Sequence, residues 1–178
     1  MRKLSKKNIK IGILGGTFDP PHKGHLHISK IALRKLKLNK LIWTITKKNP
    51  LKKKPYLKIK TRIKLSKKIT SKDKKIFINC FDDKIKSVNT FDLLNHIKKK
   101  QKGTKLYFLI GADNLVKFHK WKNWKKIPKL AKLVVFPRDN YLLGKSKYIV
   151  SKTLKKNDLI YINSKKVNIS SSLIRKFW

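Results

Sequence analysis

The sequence contains one cysteine, no glutamate and no apolar run long enough to span a bilayer. Because Cys80 has no second cysteine to pair with, an internal disulfide and a metal centre built from cysteines are both excluded. The N-terminal stretch MRKLSKKNIKIGILGG begins with basic residues, but its apolar run is short and no small-residue cleavage site follows. We therefore interpret it as mature protein and not as a signal peptide, and expect a cytoplasmic protein without a membrane segment.

Acidic residues are scarce, because eight aspartates stand against 49 lysines and arginines, giving a formal net charge of +41 at pH 7. Such a surplus is typical of proteins that bind nucleic acid or an anionic membrane surface through counterion release. It also arises from AT-rich coding, since lysine, isoleucine and asparagine are abundant together and the lysines are spread along the chain. We favour this compositional bias and expect no specific nucleic-acid partner, although a positive surface still attracts anionic nucleotides.

The predicted elements alternate between strand and helix along the 178 residues, of which 40% are hydrophobic. Apolar runs and alternation predict strands at 8–14, 41–46, 75–81, 106–110, 133–136 and 159–162. Helical spacing of apolar residues predicts helices at 25–36, 59–69, 90–100, 112–120 and 170–178, with a lysine- and proline-rich loop at 47–58. Neither an internal repeat nor a linker divides the sequence, so we expect residues 1–178 to form one domain.

This alternation predicts an α/β fold with a Rossmann-like, doubly wound parallel sheet and helices on both faces. Sheets of that kind bind their ligands at the carboxyl ends of the strands. The residues that follow the first strand are therefore the first candidates for a functional site.

Residues 15–25 read GGTFDPPHKGH and directly follow the first predicted strand. They contain neither the G-x-x-x-x-G-K-[ST] pattern of a P-loop nor the G-x-G-x-x-G pattern of a dinucleotide site. A dinucleotide site also needs an acidic residue about 20 positions further on, and none lies between Asp19 and Asp73. Neither of these two nucleotide sites is predicted.

The same residues nevertheless suit an anion. Gly15 and Gly16 let the backbone turn sharply and approach a ligand closely. The backbone N–H groups of Thr17 and Phe18 can then point at a phosphate, and the two prolines that follow stiffen the bend before the next helix. The stretch predicts a phosphate-binding turn.

Two histidines stand at the start of that helix, which we place near Lys23. His22 and His25 are three residues apart and can converge on one point, where the helix dipole favours negative charge. Both rings can donate to phosphate oxygens, whether neutral or charged. Zinc is the alternative ligand, but a catalytic zinc site needs three protein ligands and no third one with suitable spacing stands out. We predict a cradle for phosphoryl transfer.

The stretch GGTFDPPHKGH resembles the G-T-F-D-P-x-H-x-G-H signature of the nucleotidylyltransferase superfamily, and its double glycine and double proline resemble the nicotinate-nucleotide adenylyltransferase branch. Two further stretches support this resemblance. Residues 169–175, ISSSLIR, are similar to the family's I-S-S-T-x-[IL]-R, and residues 111–113, GAD, followed by Trp121 and Trp124, are similar to its G-A-D…W segment. Serines that cap a helix and the planar guanidinium of Arg175 are also groups that suit a phosphate.

Three other stretches match the family less closely. Asn49-Pro50-Leu51-Lys52 stands where the family often has P-P-H-K, Ser87-Val88-Asn89-Thr90 where it has T-x-D-T, and Phe136-Pro137-Arg138 where it has R-P-G. The family often continues beyond its last motif, whereas this sequence stops at Trp178, so we expect a short final helix.

The resemblance implies transfer of an adenylyl group from ATP to nicotinate mononucleotide, with release of pyrophosphate. Mg²⁺ would be held by the phosphates and not by protein side chains. The implied catalytic residues are His22, His25 and Arg175. The implied ATP-binding residues are Gly15, Gly16, Thr17, Phe18, His22, His25, Gly111, Asp113, Ile169, Ser171, Ser172 and Arg175. The implied nicotinate mononucleotide contacts are Asn49, Lys52, Ser87, Thr90 and Trp121.

Other functions stay open at this point. Within the superfamily, nicotinamide mononucleotide or pantetheine phosphate could be the acceptor. A function of another class is a basic nucleic-acid-binding protein built on the same fold, although the intact motifs argue against it.

Overall fold

The computed structural model describes residues 9–137, 149–164 and 169–178. Its strands are β1 (Lys10–Gly16), β2 (Lys40–Ile45), β3 (Ile76–Asn79), β4 (Lys105–Gly111), β5 (Lys132–Phe136) and β6 (Leu159–Tyr161). Its α-helices are α1 (Lys23–Lys35), α2 (Ile59–Thr70), α3 (Asp82–Ile85), α4 (Thr90–Lys100), α5 (Ala112–Val116), α6 (Ile127–Leu130), α7 (Ile149–Thr153) and α8 (Ser171–Arg175). Short 3₁₀ helices cover Phe118–Lys120, Trp124–Lys126 and Lys156–Asp158.

The strands form one parallel sheet in the order β3-β2-β1-β4-β5-β6. The chain winds outward from β1 to β3, returns to the other side of β1 as β4, and winds outward again. The direction of winding therefore reverses between β1 and β4, and a crevice is expected at their carboxyl ends. The predicted doubly wound parallel sheet is confirmed.

Helices cover both faces of the sheet because the strand residues alternate between the faces. Ile11 and Ile13 of β1 belong to one buried cluster, together with Leu94 of α4. Leu14 belongs to a second buried cluster on the opposite face, where Ala32 of α1 packs. The burial of both faces explains why the strands are nearly continuous apolar runs.

The predicted boundaries were wrong at several places. Gly15 and Gly16 do not form the sharp turn, because they continue β1 and pair with Thr44 and Ile45 of β2. The turn follows them, at Phe18, which has a φ of 50°. The predicted helix 112–120 is divided into α5 and a 3₁₀ turn, and the predicted strand 75–81 is shorter, as β3.

No helix in the described ranges combines the length and the apolar character needed to cross a membrane.

Candidate active site

The two motif histidines cap the start of α1 and each other. His22 is the N-cap residue, and its Nδ1 accepts a hydrogen bond from the Gly24 N–H at 3.1 Å. In return, Nδ1 of His25 accepts from the His22 N–H at 3.3 Å, and the ring centroids lie 3.9 Å apart. Because both Nδ1 atoms accept, a neutral ring carries its proton on Nε2. The two imidazoles therefore offer Nε2–H donors from neighbouring positions at a helix N-terminus.

Gly24 makes this arrangement sterically feasible. A Cβ at position 24 would lie 2.9 Å from Nδ1 of His22 and 3.3 Å from Cγ2 of Ile169. Any side chain there would push the His22 ring away from its capping position or displace Ile169. The glycine of H-x-G-H thus allows the histidine pair to pack beside residues 169–175, ISSSLIR, which form the C-terminal motif.

The ring of His25 is held from the other side by aromatic residues. Its centroid lies 4.7 Å from that of Phe18, which is itself stacked on Trp43 at 4.8 Å. Ser29 accepts from Nε1 of Trp43 at 2.8 Å and donates to the His25 carbonyl at 2.7 Å. Phe18, predicted as a backbone donor to ATP, therefore also packs against the ring of His25, a predicted catalytic residue.

The C-terminal motif packs directly against the histidine motif, whose contacting residues lie 151 and 156 positions earlier in the chain. The hydroxyl of Ser171 donates to the carbonyl of Pro20 at 2.8 Å. Arg175 donates through Nη1 to the carbonyl of Asp19 and through Nη2 to the hydroxyl of Ser172, the latter at 3.2 Å. These bonds bring the predicted ATP-binding residues of both motifs to one place.

Asp19 joins this region to the loop that follows β2. The carboxylate is 4% exposed and accepts from the N–H groups of Tyr56 and Leu57 at 2.8 and 2.9 Å. It also lies 3.8 Å from Nη1 of Arg175, whose guanidinium covers the Tyr56 ring at 5.1 Å. The end of the lysine-rich loop is thereby fixed beside the predicted phosphate site.

A cavity opens at the carboxyl ends of β1, β2 and β4, with about 790 Å³ of empty space including its mouth. Four of the five residues predicted to contact nicotinate mononucleotide line it, namely Asn49, Ser87, Thr90 and Trp121. Lys52 is exposed in the turn after Asn49 and is not part of the lining.

One wall of the cavity is aromatic. Trp121 meets Phe108 edge-on, with ring centroids 6.0 Å apart, and both residues line the cavity. Trp124 packs on Phe118 at 6.1 Å and lies outside the lining, as the packing interpretation of this residue predicts. A flat ring entering the cavity would therefore meet Trp121.

A polar network at the start of α4 forms another part of the cavity wall. Asp92 accepts from the hydroxyl of Ser87 at 2.6 Å and from Nζ of Lys122 at 3.1 Å. Ser87 in turn accepts from the backbone N–H of Asn89 and from its side-chain amide, both at 3.1 Å. Desolvation opposes the charge on Asp92, but the hydrogen bonds from Ser87 and Lys122 outweigh it and hold the pKa of that carboxyl below its usual value.

The histidine motif, residues 15–25, and the cavity meet at Gly15 and Gly16, which begin the motif and line the cavity. A Cβ on Gly15 would lie 3.3 Å from the Phe108 ring, and one on Gly16 would lie 3.4 Å from the Phe18 ring. Side chains here would fill the boundary between the two regions. Two bound molecules can therefore bring their phosphates together at this point.

The remaining predicted residues lie at the end of β4 or outside the described ranges. Gly111 ends β4, the strand next to β1, and is the N-cap residue of α5. Asp113 lies in the first turn of α5. Arg138 of the F-P-R stretch, and Asn168 just before the ISSSLIR motif, fall outside the described residues.

Sequence reasoning missed Arg62, which is 2% exposed within α2. Burial lowers the pKa of this guanidinium, and four hydrogen bonds to backbone carbonyls replace its hydration. The rarity of arginine, which makes up five of the 49 basic residues, is only a weak signal, because Arg34 is also an arginine and lies exposed on α1.

In the described ranges, no group of three or more His, Cys, Asp or Glu side chains is arranged to hold a metal ion.

Comparison with known proteins gives one matching family model and several similar relatives. Residues 13–177 match the family model described as cytidylyltransferase-like. A relative from Pelagibacter ubique, named "Probable nicotinate-nucleotide adenylyltransferase", is 49% identical over 173 residues, which cover 97% of this chain and 96% of the relative. A Clostridium tetani protein of the same name is 36% identical and is covered to 86%.

Among solved structures, the Plasmodium falciparum nicotinic acid mononucleotide adenylyltransferase complexed with NaAD superposes with a TM-score of 0.77. The sequences are 23% identical, and the match covers 95% of this chain and 83% of the other. The same enzyme complexed with APC gives a TM-score of 0.76. These likenesses support the fold independently of the sequence matches.

Proposed function

The chain belongs to the cytidylyltransferase-like family, among the nicotinate-nucleotide adenylyltransferases, and from that premise we propose the reaction that its site carries out. ATP and nicotinate mononucleotide react to give nicotinate adenine dinucleotide and pyrophosphate, a step of NAD synthesis. A phosphate oxygen of the mononucleotide attacks the α-phosphorus of ATP, and the bond from that phosphorus to the β-phosphate oxygen breaks.

The observation that carries this proposal is the meeting of two regions at Gly15 and Gly16. On one side lie the capped histidines and the C-terminal motif, and on the other lies the cavity. An adenylyl transfer needs the donor and acceptor phosphates in line and close together, and most of its rate enhancement comes from such alignment. The two glycines leave room for that contact.

The chemistry needs no protein nucleophile and no general base. The phosphate of the mononucleotide has a second pKa of about 6, so it is largely ionised at pH 7. The barrier is then lowered by neutralising the charge that develops on the transferred phosphoryl group. Donors, and not carboxylates, are what the site must supply, in line with a chain that has only eight acidic residues.

His22 and His25 donate to the α-phosphate through Nε2 as the attack proceeds, since their Nδ1 atoms are engaged with the backbone. Arg175 and the Ser172 hydroxyl hold the β- and γ-phosphates that leave, and Ser171 joins them when its hydroxyl, which donates to the Pro20 carbonyl in this structure, turns to a phosphate oxygen. Arg175 suits this role because its guanidinium has five N–H donors and can bind the Asp19 carbonyl and a phosphate together.

The nicotinate ring lies against Trp121 in the cavity, close to Ser87 and Thr90 at the start of α4. Asn49 contacts the mononucleotide from the loop after β2. At the end of β4, Gly111 and the carboxylate of Asp113 lie by the ribose of ATP, where a carboxylate can accept from its hydroxyls.

Mg²⁺ would be held by the phosphates of ATP, keeping several waters. The ion supplies charge neutralisation on the phosphates.

The proposal is tested by pyrophosphate release with ATP and Mg²⁺, comparing three acceptors at equal concentration. Preference for nicotinate mononucleotide over nicotinamide mononucleotide and phosphopantetheine is the expected result. Preference for either of the others would assign the cavity to that acceptor, and absence of release with all three would contradict an adenylyltransferase and favour a binding role for the basic surface.

A further inference from the structure

Arg62 is a buried cation in a helix whose other basic residues are lysines. It makes four hydrogen bonds, and all four acceptors are backbone carbonyl oxygens. Nη1 donates to Thr17 at 2.6 Å and to Thr46 at 2.7 Å, Nε to Leu57 at 3.0 Å and Nη2 to Lys47 at 3.2 Å. A buried guanidinium is costly unless its donors are satisfied, and here the satisfying groups come from three separate segments.

Each of these segments belongs to the site. Thr17 stands in the GGTFDPPHKGH motif, two residues before Asp19. Thr46 and Lys47 follow β2, and Thr46 lines the cavity. Leu57 closes the lysine-rich loop that carries Asn49. We call the loop at 47–58 the acceptor loop and the turn at Thr17 and Phe18 the phosphate turn. One guanidinium therefore fixes both ends of the acceptor loop to the phosphate turn.

The dipeptide Thr46–Lys47 is held from its other side as well. Asp82, also in the cavity wall, accepts from the Thr46 hydroxyl at 2.8 Å and from the Lys47 N–H at 2.7 Å. The carbonyls of both residues accept from Arg62, whereas the Thr46 hydroxyl and the Lys47 N–H donate to Asp82. The position of this part of the wall is thus set by two charged side chains that need not touch a substrate.

We propose that Arg62 is a positioning residue that sets the phosphate turn and the acceptor loop relative to each other, so that the two substrates meet at bonding distance. The proposal rests on the proposed function. It follows that Arg62 governs the binding of both substrates, although it belongs to neither predicted contact set.

The test compares the variants Arg62→Lys and Arg62→Gln with wild type, and uses Arg34→Lys, an exposed position on α1, as the matched control. Lysine keeps the charge but presents its three donors from one nitrogen, which cannot reach all the carbonyls that Nε, Nη1 and Nη2 of Arg62 bind, and glutamine keeps a planar amide without charge. Steady-state kinetics with ATP and with nicotinate mononucleotide varied in turn give each KM and kcat, and circular dichroism gives the folded fraction and Tm.

The expected result is a rise of about tenfold in both KM values and a fall in kcat for the folded Arg62→Lys variant, with Arg34→Lys unchanged, since small misplacements of reacting groups cost much rate. A lower Tm with both KM values unchanged would overturn the proposal, because loss of folded protein lowers the apparent kcat and leaves KM alone. Failure of both variants to fold would also overturn it, by making Arg62 a residue of the fold as a whole. Absence of dinucleotide from wild type would instead contradict the proposed function, and this proposal with it.

Discussion

At the scale of single residues, the proposed site is built from groups that bind the fold through one polar atom and, in the proposed reaction, bind the ligand through another. His22 and His25 bind backbone N–H groups through Nδ1, which fixes the tautomer of the neutral ring and leaves Nε2–H as the donor. Arg175 divides its donors in the same way between the Asp19 carbonyl and the predicted phosphates. Such groups are positioned before the substrate arrives, which is the condition for strong electrostatic stabilisation.

Replacing His25 with alanine removes one such preorganised donor. We expect kcat to fall on the order of 100-fold or more, by comparison with the loss of one oxyanion donor in other enzymes. The variant also loses the acceptor for the His22 N–H, at a cost of about 1 kcal/mol in stability, so turnover must be normalised to the folded fraction. His27→Ala, on the same helix, is the control, and near-normal turnover of His25→Ala would exclude a catalytic role for His25.

Asp92 provides a test with a defined pH dependence. Asp92→Asn weakens the bonds to Ser87 and Lys122, and we expect a loss of about 1–2 kcal/mol in unfolding free energy at pH 7 together with a higher KM for nicotinate mononucleotide. Because the pKa of this carboxyl is lower in the folded state, its contribution is present above the ordinary carboxyl pKa and is lost as the pH falls through the folded value.

Urea unfolding at several pH values measures this contribution directly. The difference between wild type and Asp92→Asn should be constant near neutrality and shrink in acid. Asp158→Asn, at a half-buried carboxylate away from the cavity, should leave the KM unchanged. A difference that persists at low pH would show that the carboxylate is not the stabilising group.

At the scale of elements, the active region depends on contacts between segments far apart in the sequence. The short helix α8 reaches the start of α1 through Ser171 and Pro20, and Asp19 receives the end of the loop that follows β2. The periodic apolar pattern located most of these elements, since it depends only on which face is buried. It could not show that Gly15 and Gly16 stay in β1, because pairing with β2 is a tertiary contact that a local pattern does not contain.

Arg175 is the residue through which α8 takes part in the site. Arg175→Lys should raise the KM for ATP by about tenfold and lower kcat, because an ammonium cannot hold the Asp19 carbonyl and a phosphate in one plane. Lys176→Gln removes a charge from the same turn without a contact to the motif and should behave like wild type. A wild-type KM and kcat for Arg175→Lys in steady-state kinetics would contradict this prediction, because a positive charge alone would then suffice at this position.

At the scale of the whole molecule, the order of the strands explains where the function resides. The switch between β1 and β4 creates one crevice, and the motifs found in the sequence come together at that edge. The family, the fold class and the type of enzyme could be predicted from the sequence because short motifs carry them. The individual site contacts stay predictions, and the clamp formed by Arg62 was invisible because its partners are backbone carbonyls, which no residue pattern records.

The charge of +41 belongs to the same scale. Two of the buried or half-buried arginines have specific backbone partners, whereas the lysines of the loop at 47–58 lie mostly exposed. This distribution agrees with a general compositional bias on which a few specific cations are superimposed. Attraction of anionic substrates is the effect that such a surface has on the proposed reaction.

Adenylyl transfer to a mononucleotide can be tested by measuring which product receives each phosphorus atom of ATP. The protein is incubated with Mg²⁺, nicotinate mononucleotide and ATP labelled at the α-phosphorus, in parallel with ATP labelled at the γ-phosphorus, and the products are separated chromatographically. If the α-phosphorus is attacked, the α-label appears in nicotinate adenine dinucleotide and the γ-label in pyrophosphate. Transfer of the γ-label to the acceptor, or α-label found only in AMP or ADP, would contradict it.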